Sequence, residues 1–280
     1  MPELPEVETV RRGLQQVLCG RGIIEVDVRS ARSIRRQPEG STGLVAGVRG
    51  ATVAGVHRRG KYLWWALDGT RSRVLTAHLG MSGQFRHGDP ADAWTPHERI
   101  RFTLDNGTRL SFVDQRTFGW VLAEDAESGV PDSVSHVALD PFDAAFDRRS
   151  VARALGSRRT EVKRALLDQT MVSGIGNIYA DEALWRARIH PRRATLGLAV
   201  STGVRLLSSA EEVMREAIVA GGTSFDPLYV NVNGESGWFA RDLAAYGRAG
   251  EPCRRCGRRI ARERFMGRSS YLCPRCQRLA

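Results

Sequence analysis

No run of apolar residues in this chain of 280 is long enough to cross a bilayer, and no apolar stretch follows a basic start as a secretory leader requires. Both absences point to a cytoplasmic protein without a membrane partner. A long basic amphipathic helix is missing too, which disfavours attachment to an anionic membrane surface. There is no internal repeat and no low-complexity tract, which argues against solenoid and tail-like architectures. Acidic residues are the scarce sign of charge: 31 Asp and Glu stand against 42 Lys and Arg, a net +11. Such an imbalance suits a polyanionic partner, most often nucleic acid. No dimerisation motif appears, and a monomer is expected.

What is present is a globular composition, 42% hydrophobic, in a chain long enough for two domains with real cores. The charge is unevenly spread. Residues 251–280 hold nine arginines against Glu251 and Glu263, a net of +7 in one tenth of the chain. Four of the five cysteines fall in the same stretch. Cys253-x2-Cys256 and Cys273-x2-Cys276 are separated by sixteen residues, the spacing of a four-cysteine zinc ribbon. A disulfide pair is the alternative, but a cytoplasmic chain rarely keeps one. One Zn2+ per chain is therefore expected, structural because four protein ligands leave no open position. Cys19 reads as a small buried hydrophobe. Between the cysteine pairs, residues 262–272 read as a β-hairpin turning at Gly267, with Arg268 at its tip in reach of a phosphate.

Along the chain, Val7, Val10, Leu14, Val17 and Leu18 mark a helix over 7–18. Strand patterns then run from residue 22 to about 125, with Asp105-Asn106-Gly107 as a hairpin turn, giving an antiparallel sandwich or barrel. A connector over 129–147 leads to helices at 161–169, capped by Thr160, at 178–188, capped by Asn177, and at 201–220. Residues 223–247 form a long loop carrying Phe225, Tyr229, Trp238 and Phe239, of a length often used for lids.

The start, Met1-Pro2-Glu3-Leu4-Pro5-Glu6, puts a potential secondary-amine nucleophile at the chain's tip once Met1 is removed. An α-amine titrates near 8 and a lysine near 10.4, so near pH 7.4 about a quarter of the first is neutral against about one in a thousand of the second. Only the neutral amine attacks carbon. The competing reading is that Pro2 merely opens an ordered helix.

These residues resemble the formamidopyrimidine-DNA glycosylase family over the whole chain. The likeness rests on five separated motifs: the N-terminal decapeptide, Arg59-Gly60-Lys61-Tyr62-Leu63, His78-Leu79-Gly80-Met81-Ser82-Gly83, Gly174-Ile175-Gly176-Asn177-Ile178-Tyr179-Ala180, and Tyr246-Gly247-Arg248 with the four-cysteine finger. The resemblance implies an α+β multidomain protein. Its expected parts are an N-terminal antiparallel β-sandwich with its helix (1–130), a linker (131–150), a helical helix–two-turn–helix domain with a lesion-capping loop near 223–240 (151–250), and the zinc finger (251–280).

The implied partner is double-stranded DNA containing oxidised bases. The implied reaction removes 8-oxoguanine and formamidopyrimidines through a Pro2 Schiff base and cuts the strand by β,δ-elimination. Pro2 is then the nucleophile, Glu3 the general acid/base, and Glu6 the residue that holds the N-terminal segment. Lys61 touches phosphate and assists catalysis; His78, Asn177 and Arg268 bind phosphate. Lys163 lies near the flipped base or its phosphate, although alone it reads equally as a solvated helix lysine. Met81, Arg116 and Phe118 fill the void left by the flipped nucleotide.

One departure stands out: the family's Asp-Pro-Arg-Arg-Phe-Gly is Asp114-Gln115-Arg116-Thr117-Phe118-Gly119 here, which bears on loop rigidity and opposite-base selectivity. Two rival readings remain, an endonuclease VIII-type enzyme for oxidised pyrimidines and a zinc-ribbon DNA-binding protein without catalysis. Leu4 and the Gly221-Gly222-Thr223-Ser224 entry to the loop favour the purine type over the first.

Overall fold

Helix α1 spans Leu4–Leu18, three residues longer at its start than the apolar spacing from Val7 indicates. The extension comes from polar residues: Glu3 occupies the N-cap, its backbone N–H donates to the Glu6 carboxylate at 2.8 Å, and Pro5 sits in the first turn, where its missing N–H is harmless. Leu4, Val7, Val10, Leu14 and Leu18 are buried along one face. Each contributes about 1.5–3 kcal/mol by leaving water, far more than helix propensity supplies. In the computed structural model, residues 2–68, 73–223, 232 and 237–279 are described.

The chain divides into two units, Met1–His136 with Gly221–Trp238, and Val137–Ala220 with Phe239–Ala280. In the first, after β1 (Ile23–Val28) and helix α2 (Gly40–Val48), come β2 (Thr52–Arg59), β3 (Tyr62–Asp68), β4 (Arg73–His78), β5 (Gly83–Gly88), β6 (Glu98–Leu104), β7 (Arg109–Asp114) and β8 (Trp120–Asp125). They form two four-stranded antiparallel sheets, ordered β1-β6-β7-β5 and β2-β3-β4-β8. The sandwich is thus realised rather than the barrel. Trp65 of one sheet meets Phe85 and Phe102 of the other, with ring centroids 5.5 and 5.1 Å apart, and seals the core.

Helix α2 interrupts the run of strands that the sequence pattern suggests. Its glycines and β-branched residues make it a poor helix former; burial of Leu44 and Val48 decides its state. A short helix, α3 (Asp132–Ser135), lies inside the presumed connector. Val232 is buried in the same core, its carbonyl accepting from His87 N–H at 3.3 Å and its methyl lying 3.0 Å from where a Cβ on Gly13 would stand. Phe225 and Tyr229 lie outside the described residues.

The second unit holds α4 (Arg148–Ser157), α5 (Val162–Leu166), α6 (Asn177–Ala187) and α7 (Val200–Val219), followed by the hairpin β9 (Ala261–Phe265) and β10 (Arg268–Leu272). The sequence pattern does not mark α4, although Asp147 caps it by accepting from Arg149 and Ser150 N–H. Two capping expectations fail. Glu161, not Thr160, precedes α5, and Thr160 N–H is bonded instead to the Thr195 hydroxyl. Gly176 occupies the N-cap of α6, so Asn177 is its first residue and its side chain is free to reach elsewhere. Among the described residues no helix is long and apolar enough to cross a membrane.

Candidate active site

Pro2 is buried and lies before the N-cap, outside α1. The helix-opening role therefore belongs to Pro5, and Pro2 is not accounted for as a capping residue. Glu3 and Glu6 are also buried. Glu6 is the organiser of this corner. One carboxylate oxygen accepts from Glu3 N–H; the other accepts from Thr223 N–H and the Thr223 hydroxyl, both at 2.8 Å. It thereby joins the Pro2-Glu3 peptide to the root of the 223–238 segment. Gly222, at φ +89°, passes so close that an added Cβ would lie 3.2 Å from Glu6 Oε1, which is why this position is glycine.

Lys61 sits in the turn between β2 and β3, and His78 ends β4, in register with Tyr62 on one side and Trp120 on the other. Glu8 fixes the turn from below. It accepts from Arg58 Nε at 3.0 Å, while Arg58 Nη1 donates to the carbonyl of Gly60, the residue before Lys61. Burial alone would raise the Glu8 carboxyl, but Arg11, Arg58 and Arg12 outweigh it and bring it to about 2. This support was not read from the sequence; the signal available was a glutamate on the polar side of α1 with Arg11 and Arg12 at helical spacing.

Burial pushes the His78 ring down to about 4, and the positive charges of Lys61, Arg36 and Arg35 push in the same direction. Gly80 N–H donates to Nδ1 at 3.1 Å, leaving the neutral ring's proton on Nε2. His78 can therefore donate to an anion without being charged. Its folded value lies below the unfolded 6.5, so its contribution to stability is complete above pH 6.5 and is lost as pH falls toward 4. Denaturant midpoints of the parent and His78→Phe should accordingly draw together or cross between pH 6.5 and 4. A difference that stays constant over that range would refute the neutral ring.

Met81 and Phe118 are 38% and 41% exposed, so the common core role of such residues does not apply to them. Their loops touch: a Cβ on Gly80 (φ +62°) would lie 2.5 Å from the backbone at Phe118 and Gly119. The Arg116 guanidinium stands 5.2 Å from the Phe118 ring centroid. Rigidity comes from Asp114, which accepts from the Ser82 hydroxyl (2.5 Å), Arg116 N–H (3.2 Å) and Gly119 N–H (2.7 Å). Arg32 and Arg35 hold the carbonyls of Thr117, Phe118 and Gly119. The loop is thus braced without the family's proline, and Thr117 takes a left-handed φ of +52° within it.

In the second unit, Asn177 is mostly buried and its Nδ2 donates to the Ser269 carbonyl at 2.9 Å, one residue from the exposed Arg268. Lys163 is not the solvated helix lysine that the sequence alone allows: its side chain is 0% exposed, with Nζ 2.7 Å from Asp181 Oδ1. Sequence reasoning also passed over Glu182, whose buried carboxylate accepts from the N–H groups of Ala244, Ala245 and Tyr246.

The four cysteine sulfurs lie within 4.8 Å of one another, Cys256 and Cys273 at 3.5 Å, with no disulfide. A tetrahedron with Zn–S bonds of about 2.3 Å spaces its sulfurs by about 3.8 Å, so the set fits zinc. Gly257 adopts φ +73° in the first knuckle, and the Trp185 indole N–H donates to Cys253 Sγ at 3.4 Å. Burial tends to raise the Cys253 thiol, but N–H donors from Arg255, Trp185 and Cys256 bring it down to about 6. The hairpin turns through Met266 and Gly267, both at positive φ, as a two-residue turn should.

A zinc-knuckled arginine hairpin in one unit, and in the other a braced, exposed apolar pair with cationic surroundings, suit a protein that handles nucleic acid. Three family models cover most of the chain: the formamidopyrimidine-DNA glycosylase N-terminal domain over residues 1–121, its H2TH domain over 137–227, and a zinc finger found in FPG and IleRS over 250–279. A formamidopyrimidine-DNA glycosylase of Mycobacteroides abscessus is 55% identical, spanning 100% of this chain and 99% of its own. Among solved structures, a Lactococcus lactis FPG mutant bound to a Fapy-dG containing DNA matches at a TM-score of 0.88 and 33% identity, covering 99% of this chain and 100% of its own. The wild-type L. lactis FPG with an oxidised pyrimidine containing DNA matches at 0.89 and 33%, with the same coverage. The chain belongs to the formamidopyrimidine-DNA glycosylase family.

Proposed function

We propose that Pro2, exposed as the N-terminus by removal of Met1, is the nucleophile of a base excision repair enzyme that removes oxidised purines from duplex DNA. The chain is a DNA glycosylase with strand-cleaving lyase activity, as its family is. The target base must leave the stack before it is reached. The Pro2 amine then bonds to C1′ and gives up its proton, and the C1′–N bond to the base breaks with the departing base taking up a proton. The C1′–O4′ bond opens, O4′ taking up a proton, to leave an iminium between C1′ and Pro2. The iminium so formed has no N–H to lose and stays positively charged. That charge acidifies C2′–H; loss of this proton expels the 3′ phosphate, and a second elimination expels the 5′ phosphate.

Glu3, next to the nucleophile, serves as general acid/base at the sugar. Glu6 keeps Glu3 in place, and its bond to Glu3 N–H at 2.8 Å is the observation that carries this reading. Lys61, His78, Asn177 and Arg268 take DNA phosphates. Met81, Arg116 and Phe118 occupy the vacated stack, Arg116 against the orphaned base. Zn2+ held by Cys253, Cys256, Cys273 and Cys276 is structural: it fixes the hairpin and takes no part in the reaction. The enzyme works in the cytoplasm, on nucleoid DNA, as a monomer.

A second lesion class is favoured by one observation, the L. lactis relative's complex with an oxidised pyrimidine containing DNA. Matched duplexes carrying 8-oxoguanine or an oxidised pyrimidine should both be cut, the purine with kcat/KM about tenfold or more higher. A pyrimidine preference would overturn the purine reading.

A further inference from the structure

Lys61 and Lys163 are the only lysines among the 42 basic residues; the rest are arginine. Lys163 is also the one whose side chain has no exposed surface. It and Asp181 are both 0% exposed and 2.7 Å apart. Replacing a buried pair of this kind by apolar residues is often neutral or stabilising, so the pair's contribution to stability does not explain its presence. What it touches does. Asp181 accepts from the Ser270 hydroxyl and from Tyr271 N–H, both at 2.9 Å. One helical turn earlier on α6, Asn177 takes the Ser269 carbonyl. Three consecutive residues of β10 are thus held by two side chains of α6.

The other strand is held as well. Lys163 Nζ lies 5.3 Å from the ring centroid of Phe265, the residue paired with Arg268 in the hairpin register. Arg192 covers the same ring at 5.2 Å and donates to the Arg264 carbonyl at 2.7 Å. The zinc ligands fix only the base of the hairpin, and a two-stranded hairpin is by itself marginal in water. The position of its tip is set by α5 and α6.

We propose that Lys163 and Asp181 are positioning residues: they form a buried clasp that locks the zinc hairpin onto α6 and so aims Arg268 at its phosphate, and Lys163 is not a DNA ligand. This rests on the reading that Arg268 contacts DNA. Lysine fits the clasp because a single ammonium reaches one carboxylate oxygen and a ring, whereas a guanidinium fork needs more room and two acceptors.

The test separates aim from stability. The double variant Lys163→Met/Asp181→Leu should bind one zinc and melt at or above the parent temperature. Its affinity for a duplex with a tetrahydrofuran abasic analogue should nevertheless fall about tenfold. The slope of log K against log salt should shrink by about one, as a lost phosphate contact requires. Adding Arg268→Ala to this background should change little, because the contact is already gone. Parental affinity in the double variant, or losses that multiply in the triple, would overturn the clasp. Undiminished binding by Arg268→Ala alone would overturn the assignment of Arg268 itself. If the double variant lacks zinc or a cooperative transition, Ser270→Ala carries the test. It removes one donor to Asp181, leaves the ion pair, and should weaken binding severalfold with zinc retained; unchanged binding counts against the proposal.

Discussion

Borohydride added to the protein on a duplex carrying 8-oxoguanine should trap a covalent adduct that maps to Pro2, and an N-acetylated N-terminal extension should reduce that adduct by about 250-fold. The size follows from competition among amines. An N-acetylated extension turns the Pro2 nitrogen into an amide, which is no nucleophile, and only lysines remain. This chain has two. Lys163 is sealed in its ion pair with Asp181, leaving Lys61 as the sole accessible substitute. Near pH 7.4 an ordinary lysine is neutral in about one part in a thousand, against about a quarter for an α-amine. Lys61→Ala should therefore trap as much adduct per bound complex as the parent, while losing affinity for the phosphate. An adduct that persists in the extended protein and maps to Lys61 would refute the Pro2 assignment. Intact mass of the active preparation should show Met1 absent, since a Pro2 nitrogen still joined to Met1 is an amide and cannot react.

The sequence carried the sandwich, the hairpins and the zinc knuckles because each is written in a local period or a fixed spacing. Alternation marks β6 and β7 around Asn106-Gly107, and two Cys-x2-Cys pairs suffice for a tetrahedron. Helix α2 was not legible, because Gly40–Val48 favours a helix only once Leu44 and Val48 are buried. Nor was α4, where one capping aspartate outweighs a polar, arginine-rich surface. The candidate site shows the same division. Motif position located Pro2, Glu3, Lys61 and His78, but a motif does not say what a side chain touches. Lys163 lies in none of the five motifs, and its partner, Asp181, stands eighteen residues on and meets it only in the fold. Glu8, Asp114 and Glu182 escaped for that reason: Glu8 meets Arg58, Asp114 the Ser82 hydroxyl and Glu182 the N–H groups of 244–246, all distant in sequence.

Removing zinc should abolish tight lesion binding while the sandwich stays folded. The hairpin's own core is small. Cys253, Ile260 and Cys273 are its buried centre, edged by Trp185 and Tyr271, and two of the three are metal ligands. Structural zinc supplies on the order of 10 kcal/mol or more to such a unit, which apolar burial on this scale cannot replace. Cys273→Ser should therefore drop the metal from one zinc per chain to none. The backbone bond from Tyr271 N–H to Asp181 should then open, and hydrogen exchange at Tyr271 should rise toward the unfolded rate. Amides of β3 and β4, such as those of Leu63 and Leu75 in the sandwich core, should keep their protection. With Arg268 no longer aimed and the nine arginines of the finger unfixed, affinity for a lesion duplex should fall about a hundredfold at moderate salt, with a smaller salt slope. Excess salt would then separate parent and variant less than low salt does. A metal-free protein that binds lesion DNA at parental affinity would show that the finger's arginines need no fixed frame, and zinc would lose its role in recognition.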